Sequence, residues 1–385
     1  MLLLGGTANP DSGASRLLAE FKAGGFFEVQ DQEGQITALR CVKKTIRPAF
    51  LRAATQTKAK APAAPAVKAE KSSPDLHRLD NRAIPGIAGE IRAVMVTRNE
   101  ALRLPAVLDY HRDLGVGRFL MIDNGSDDGT IDFLLAQPDV HVFSSKASFA
   151  ANKMRWTNTV LDAHADKHWT LTIDADELYV YPHCERVKLA QFCRFLESAG
   201  ARATLSLLLD MYSDKPIDET LYNAGEPLLD ACRYFDPGPY SSIVAPLFPH
   251  VQYYGGMRER VFRHRQRTSR SPTLSKVPLV KWQAGMQYSL ATHAVTPTPL
   301  SDVVTALLHF KFLGDFRDRV ASALESGQYH DASREYRDYH AYLRENGAGS
   351  FLAEDSVRYE DSAQLTRLDL MRSSPAYEDF VAALA

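Results

Sequence analysis

The sequence predicts an α/β protein: a mostly parallel sheet flanked by helices, with a small N-terminal extension and a helical C-terminal tail. Three observations carry this expectation. From Ile91 onward, short apolar runs alternate with stretches of helical periodicity. The connections between them are short, as in βαβ units whose sheet is covered on both faces. Ahead of that region the composition breaks: residues 53–73 read AATQTKAKAPAAPAVKAEKSS, with almost no large apolar side chain. Such a segment buries too little surface to offset its ordering entropy and reads as a semi-extended linker.

The elements follow in chain order. Phe26–Val29 and Ile36–Leu39 flank Asp31–Gly34, a hairpin pattern within a small element spanning 1–52. The linker runs over 53–90. Ile91–Val96 is an apolar run suited to a buried parallel strand. The next helix has Pro105 in its first turn and Gly115 closing it, with Val107, Leu108, His111 and Leu114 on one face. Gly117–Ile122 and Val140–Phe143 are strands around a helix that starts at 128–130. A helix over Asn152–Ala165 precedes the strand Trp169–Ile173, then come a helix over Lys188–Gly200 and a strand over Ala203–Leu209. Residues 211–300 are rich in Pro, Gly, Tyr and Arg and read as loops with antiparallel pieces. From Leu300 helices are expected at Asp302–Phe312, Phe316–Glu325 and Ala332–Glu345. The α/β domain is bounded at 91–315 and the helical region at 316–385.

Composition narrows the function classes. The 385 residues include 45 Lys+Arg and 47 Asp+Glu, a net charge of −2, which argues against a dedicated nucleic-acid binder. No apolar run approaches the ~20 residues that span a bilayer, so a cytoplasmic protein is expected. Cys41, Cys184, Cys193 and Cys232 have no zinc-site spacing.

Three polar motifs end three of the expected strands. Asp174-Ala175-Asp176-Glu177 crowds three carboxylates that repel one another unless a cation sits among them. Along an extended chain, Asp174 and Asp176 lie on one side about 6–7 Å apart, close enough to share a divalent ion. Taken alone, such a run also fits a solvated acidic turn. Asp123-Asn124-Gly125-Ser126-Asp127-Asp128-Gly129-Thr130 opens a helix and can meet a base or ribose through Asp123 or Asn124. Thr97-Arg98-Asn99-Glu100 ends the first strand. Ligands of open α/β sheets bind at the carboxyl ends of strands, so three such motifs on one rim point to a binding or active site.

Val94–Glu100 (VMVTRNE), Asp123–Thr130 (DNGSDDGT) and Ile173–Leu178 (IDADEL) together resemble the ordered signature of family 2-like glycosyltransferases of the GT-A fold, in the subgroup whose aspartate motif reads DxDEF or DxDEL. Gly255–Arg258 (GGMR), Lys276–Trp282 (KVPLVKW) and Leu307–Phe312 (LLHFKF) resemble further blocks of that subgroup. The likeness spans about residues 91–315. It implies a nucleotide-sugar donor, most simply a UDP-sugar, a hydroxyl acceptor on a glycan, a lipid carrier or another molecule, and Mn²⁺ or Mg²⁺ as cofactor. It places Thr97 and Asn124 in the nucleotide pocket with Asp123 beside them. Asn124 stands where the commoner pattern has a second Asp. Asp174 would face the donor ribose or sugar and share in the metal site, and Asp176 would hold the diphosphate-bound ion. A C-terminal histidine would be a third ligand, for which His293 and His309 are both candidates.

Further residues suit the same chemistry. Arg98 and Asn99 sit on the first rim loop. Arg155 precedes the acidic strand, and Arg258 follows a glycine pair in a loop; either can meet an anionic donor. Asp210 and Glu259 are candidates for the base that takes the acceptor's proton. Tyr212, Trp156 and Trp282 can stack on a sugar or base. The basic run at 263–267 and Arg270 leaves peripheral membrane contact open, without a transmembrane segment. The rival readings are a nucleotidyltransferase, though Thr97–Glu100 lacks the glycines expected there, and a non-catalytic nucleotide-sugar-binding module.

Overall fold

A computed structural model describes residues 2–5, 27–33, 36–41, 75–244, 250–262, 272–327 and 330–384. Residues 53–74 of the linker expected over 53–90, and the basic run at 263–270, lie outside the described residues. The chain divides into two compact units. In the first, strands Leu2–Gly5, Phe27–Glu33 and Ile36–Cys41 form an antiparallel sheet with Ile36–Cys41 in the middle.

The second unit, residues 73–242 and 252–385, is built on a ten-stranded sheet. Its strands are β1 (His77–Arg78), β2 (Arg92–Thr97), β3 (Arg118–Asp123), β4 (Val140–Ser144), β5 (Trp169–Thr172), β6 (Glu177–Val180), β7 (Ala203–Asp210), β8 (Ser275–Lys276), β9 (Leu279–Lys281) and β10 (Leu300–His309). They lie in the order β1-β4-β3-β2-β5-β9-β7-β10-β6, with β8 on β7. Strands β2 to β5 run parallel, as do β7 and β10, while the short β1, β6, β8 and β9 run against them. The long strands therefore share one carboxyl edge.

Burial on both faces explains the continuous apolar runs. Every residue of β2 and β7 is buried. Helix α1 (Leu104–Leu114) has Pro105 in its first turn and ends on Gly115, whose φ of 110° favours glycine. Helices α2 (Thr130–Ala136), α3 (Phe149–His164) and α4 (Leu189–Ser198) complete the βα units. A short helix α5 (Gly256–Phe262) follows the irregular region.

One expected element is corrected. Residues 302–309 are not helical; they belong to β10, paired with β7 on one side and β6 on the other. Val303, Val304 and Thr305 are β-branched, and Val303–His309 are buried throughout. An apolar run with both faces covered shows no strand alternation, so its period does not separate strand from helix. The helical tail begins with α6 (Phe316–Ser326) and α7 (His330–Asn346), which share a core of Phe312, Phe316, Val320, Tyr339 and Phe351. It closes with α8 (Ser362–Arg367) and α9 (Pro375–Ala382).

Candidate active site

The carboxyl edge gathers the motifs. In the β2–β3 register Thr97 pairs with Asp123, and in the β7–β10 register Asp210 pairs with His309. After β5 the DADE run turns sharply, Glu177 N–H donating to the Asp174 carbonyl at 3.2 Å. The chain returns as β6, which places Glu177 opposite His309. Phe310 N–H donates to the Asp176 carbonyl at 2.8 Å and pins this turn to the end of β10.

Asp176, Glu177 and His309 thereby converge. Each offers a ligand atom within 4.8 Å of the others, and all three are buried. His309 Nδ1 lies 2.6 Å from Asp210 Oδ1, and its Nε2 lies 3.5 Å from Asp176 Oδ2. Burial opposes the charge on Asp176, but His309, Arg319 and Lys311 hold its carboxyl well below the usual range. Burial dominates at Glu177 and raises its pKa despite Lys276. At His309 burial works against protonation, yet Asp176 and Asp210 raise its pKa. A donor set of carboxylate oxygens and one imidazole nitrogen fits a first-row divalent ion such as Mn²⁺ better than Mg²⁺, which favours oxygen alone.

Asp174 stands apart from this trio. Its Oδ1 accepts from Lys153 Nζ at 2.7 Å and its Oδ2 from Lys276 Nζ at 2.9 Å. Burial raises its pKa, and the two lysines more than reverse this, leaving the carboxyl far below the ordinary range. Lys276 is itself buried and also ion-pairs with Glu177. Arg155, expected to supply the fixed positive charge here, is exposed; Lys153, two residues earlier on α3, takes that place. Helical periodicity carries the signal, because Lys153 lies one turn from the buried Thr157 and bonds it through its carbonyl.

Thr97 Oγ1, Asp123 Oδ1 and Asn124 Oδ1 are buried without a hydrogen-bond partner. Asp123 Oδ2 accepts from the backbone N–H groups of Gly125 and Ser126, at 2.9 and 3.1 Å. Asn124 Nδ2 donates to the carbonyls of Ser145 and Ala147, at 2.7 and 3.0 Å. The amide therefore has only an acceptor left. Arg98 is exposed on this rim. Asn99, with φ 54°, ties the rim loops together, donating to Asp127 Oδ1 at 2.8 Å and accepting from Asp127 N–H at 2.9 Å; both polar ends of its side chain are engaged within the protein.

Several expectations change. Asp210 does not present a free oxygen for proton abstraction: Oδ2 accepts from Arg258 Nε at 2.7 Å while Oδ1 meets His309. Arg258 is not in a solvated loop but buried on α5, where it also pairs with Glu335 at 3.0 Å. Glu259, next along α5, is exposed. His293 lies outside the acidic trio; its Nδ1 donates to the Ser275 carbonyl at 2.7 Å, and burial with Lys276 lowers its pKa to about 4. Trp156, Trp282 and Tyr212 are fully buried core residues, not stacking platforms. Lys311, beside His309 in the sequence, was expected to meet phosphate as a point charge; it helps hold Asp176 ionised, and Arg319 joins it without any sequence signal. Arg319 pairs with Glu100 at 2.7 Å and has a buried Nη1 without a partner. Nothing in the local sequence around 319 marks this approach, because it depends on where α6 docks.

No protein-family model and no curated protein matches the sequence. Solved structures with a limited likeness include a 4-diphosphocytidyl-2C-methyl-D-erythritol synthase (13% identity over 65% of this chain and 85% of that chain, TM-score 0.24). Others are the UTP-bound UGPase from Acinetobacter baumannii (9% identity, 77% and 93%, TM-score 0.25) and an inositol-1-phosphate CTP transferase from T. maritima (12% identity, 65% and 97%, TM-score 0.27). Superposition this loose gives these neighbours no weight in assigning an activity to the chain.

Proposed function

We propose that the chain is a metal-dependent glycosyltransferase that moves a sugar from a nucleotide-sugar, a UDP-sugar, to a hydroxyl acceptor on a glycan, a lipid carrier or another molecule, with inversion at the anomeric carbon. The observation that carries the reading is the convergence of Asp176, Glu177 and His309 at the carboxyl edge. Orphaned acceptors at Thr97, Asp123 and Asn124 end two strands of the same edge. Buried polar atoms without partners are costly, and a ligand's donors would satisfy them.

In this proposal Asp123 and Asn124 accept hydrogen bonds from the ribose and base, uracil N3–H being a fitting donor, and Thr97 lies beside them. Arg98 faces the phosphates from the exposed rim. Asp176, Glu177 and His309 hold Mn²⁺, with Mg²⁺ as the weaker alternative. When bound, the ion would act as a Lewis acid toward the leaving diphosphate. Asp174, held by two lysines, is assigned to the donor ribose or sugar and not to the metal. Lys153, Lys276 and Arg319 keep the pocket positive enough to take a diphosphate. Glu259, exposed on α5, is the carboxylate proposed to take the acceptor's proton.

The test is UDP-sugar hydrolysis or transfer with and without Mn²⁺. Asp176→Ala should abolish the Mn²⁺-stimulated rate while circular dichroism shows an intact fold; full activity in that variant would sink the metal assignment. Release of pyrophosphate from a nucleoside triphosphate would favour a nucleotidyltransferase instead. Nucleotide-sugar binding without turnover on acceptors or water would favour a binding module.

A further inference from the structure

Asp210 and His309 end neighbouring parallel strands as register partners, so the backbone itself brings carboxylate and imidazole together. The 2.6 Å contact between Asp210 Oδ1 and His309 Nδ1 is that of a charge-assisted hydrogen bond. Asp210 Oδ2 is taken by Arg258 Nε at 2.7 Å, and Arg258 Nη1 donates to Glu335 Oε1 at 3.0 Å. Tyr339, one turn on along α7, donates its hydroxyl to the same Glu335 oxygen. Asp210, Arg258 and His309 are each at most 6% exposed. A continuous hydrogen-bonded chain, buried except at the half-buried Glu335, thus runs from α7 through α5 and β7 to the trio at the rim.

We infer that Asp210 is a positioning residue that holds His309 with Nδ1–H turned to its carboxylate and Nε2 turned to the cation, and that Arg258 and Glu335 hold Asp210 in that role. The inference rests on the metal reading above and goes beyond it, because it fixes which ring nitrogen binds and gives the C-terminal helix α7 a part in the site. An imidazole that donates through Nδ1 has its lone pair on Nε2, the nitrogen that faces Asp176. Without the carboxylate the ring loses both its preferred tautomer and its orientation. Arg258 supplies the positive charge that lets Asp210 remain a buried anion before any ion binds. The chain also explains why an arginine and an aspartate that looked like donor-binding and catalytic groups are both spent inside the protein.

The experiment is a Mn²⁺ titration of the full chain, followed by electron paramagnetic resonance, with Mn²⁺ alone and with Mn²⁺ plus UDP. Asp210→Asn should weaken Mn²⁺ about ten- to a hundredfold, the usual effect of removing such a partner. Glu335→Gln should weaken it by less. Because Asp210→Asn risks the fold, the unsubstituted protein carries a second measurement: ¹⁵N-labelled histidine with Zn²⁺ as a diamagnetic probe. Coordination through Nε2 with a proton retained on Nδ1 supports the inference, and coordination through Nδ1 overturns it. Unchanged Mn²⁺ affinity in a folded Asp210→Asn protein also overturns it while leaving the metal reading standing. Absence of any Mn²⁺ or Zn²⁺ binding by the unsubstituted protein removes the metal reading and this inference together.

Discussion

Arg103, with none of its surface exposed, grips Asp315 through a forked pair of hydrogen bonds, Nη1 to Oδ2 at 2.7 Å and Nη2 to Oδ1 at 2.5 Å. Its Nε also donates to the Phe310 carbonyl at 3.2 Å. One side chain thereby fastens the loop after β2 to the segment that leaves β10 and enters α6. Arg103→Met should destabilise the fold by about 3–5 kcal/mol, the usual cost of breaking a buried pair from one side. Arg103→Lys should recover little of that, because an ammonium cannot make the fork. Urea midpoints of the three proteins check the order; equal midpoints for Arg103→Lys and the unsubstituted chain would contradict it.

The lysines on Asp174 differ in depth, and the difference ranks their variants. Lys276 is buried and serves Asp174 and Glu177, whereas the Lys153 side chain is 21% exposed and serves Asp174 alone. Lys276→Met strands two carboxylates near each other in a low-dielectric rim. It should cost more stability than Lys153→Met, by roughly 2 kcal/mol or more, given the several kcal/mol lost when one side of a buried pair is removed. Thermal melts in one buffer give the comparison, and a larger loss in Lys153→Met would reverse the ranking.

These contacts also show what was legible beforehand. Strands β2 to β5 could be read because their apolar runs were bracketed by turn residues and amphipathic helices. The rim motifs could be read because they stood at the ends of those strands. β10 could not, since a run buried on both faces carries no period. Asp176 stood out through its acidic neighbours, but the choice between His309 and His293 depended on whether each lay in a strand beside Asp210 or in a turn against Ser275. The local sequence marks Lys276 more weakly, although a lysine amid Leu274, Val277 and Leu279 calls for a buried counter-charge. The partners of Arg103, Arg258 and Arg319 were out of reach because they lie about 50 to more than 200 residues away along the chain.

Acid should loosen the unit through His111. This histidine is fully buried; its Nδ1 donates to the Val107 carbonyl at 2.7 Å and its Nε2 accepts from Tyr179 N–H at 3.3 Å. The neutral ring is thus satisfied at both ends and joins α1 to β6. Burial lowers its pKa from 6.5 to about 4. The unfolded chain therefore binds a proton first as pH falls, so this stability is fully present above pH 6.5 and is lost between 6.5 and 4. The shift corresponds to about 3 kcal/mol. His111→Gln can donate and accept without titrating, so its stability should fall less steeply over that window. Denaturant titrations at pH 7, 5.5 and 4.5 test this, and parallel slopes for the two proteins would dismiss His111 as the cause.

The hydrogen bonds of Asn124 give a reason for an amide where the glycosyltransferase pattern it resembles has an aspartate. An aspartate there would set a carboxylate oxygen where Nδ2 now donates to the Ser145 and Ala147 carbonyls. Two hydrogen bonds would become two contacts between acceptors. Asn124→Asp should therefore destabilise the protein by about 1–3 kcal/mol, the penalty for buried groups left without partners. It should also weaken UDP, because the loop that positions Asn124 Oδ1 and the neighbouring Asp123 would shift. Asn124→Ala removes the donor without adding a charge, so it should lose less stability than Asn124→Asp while still losing UDP affinity. Calorimetric UDP titration alongside thermal melts separates the two effects. Tighter UDP binding in Asn124→Asp would mean that the second aspartate of the commoner pattern can be accommodated here, and that the two carbonyl contacts are not what selects asparagine.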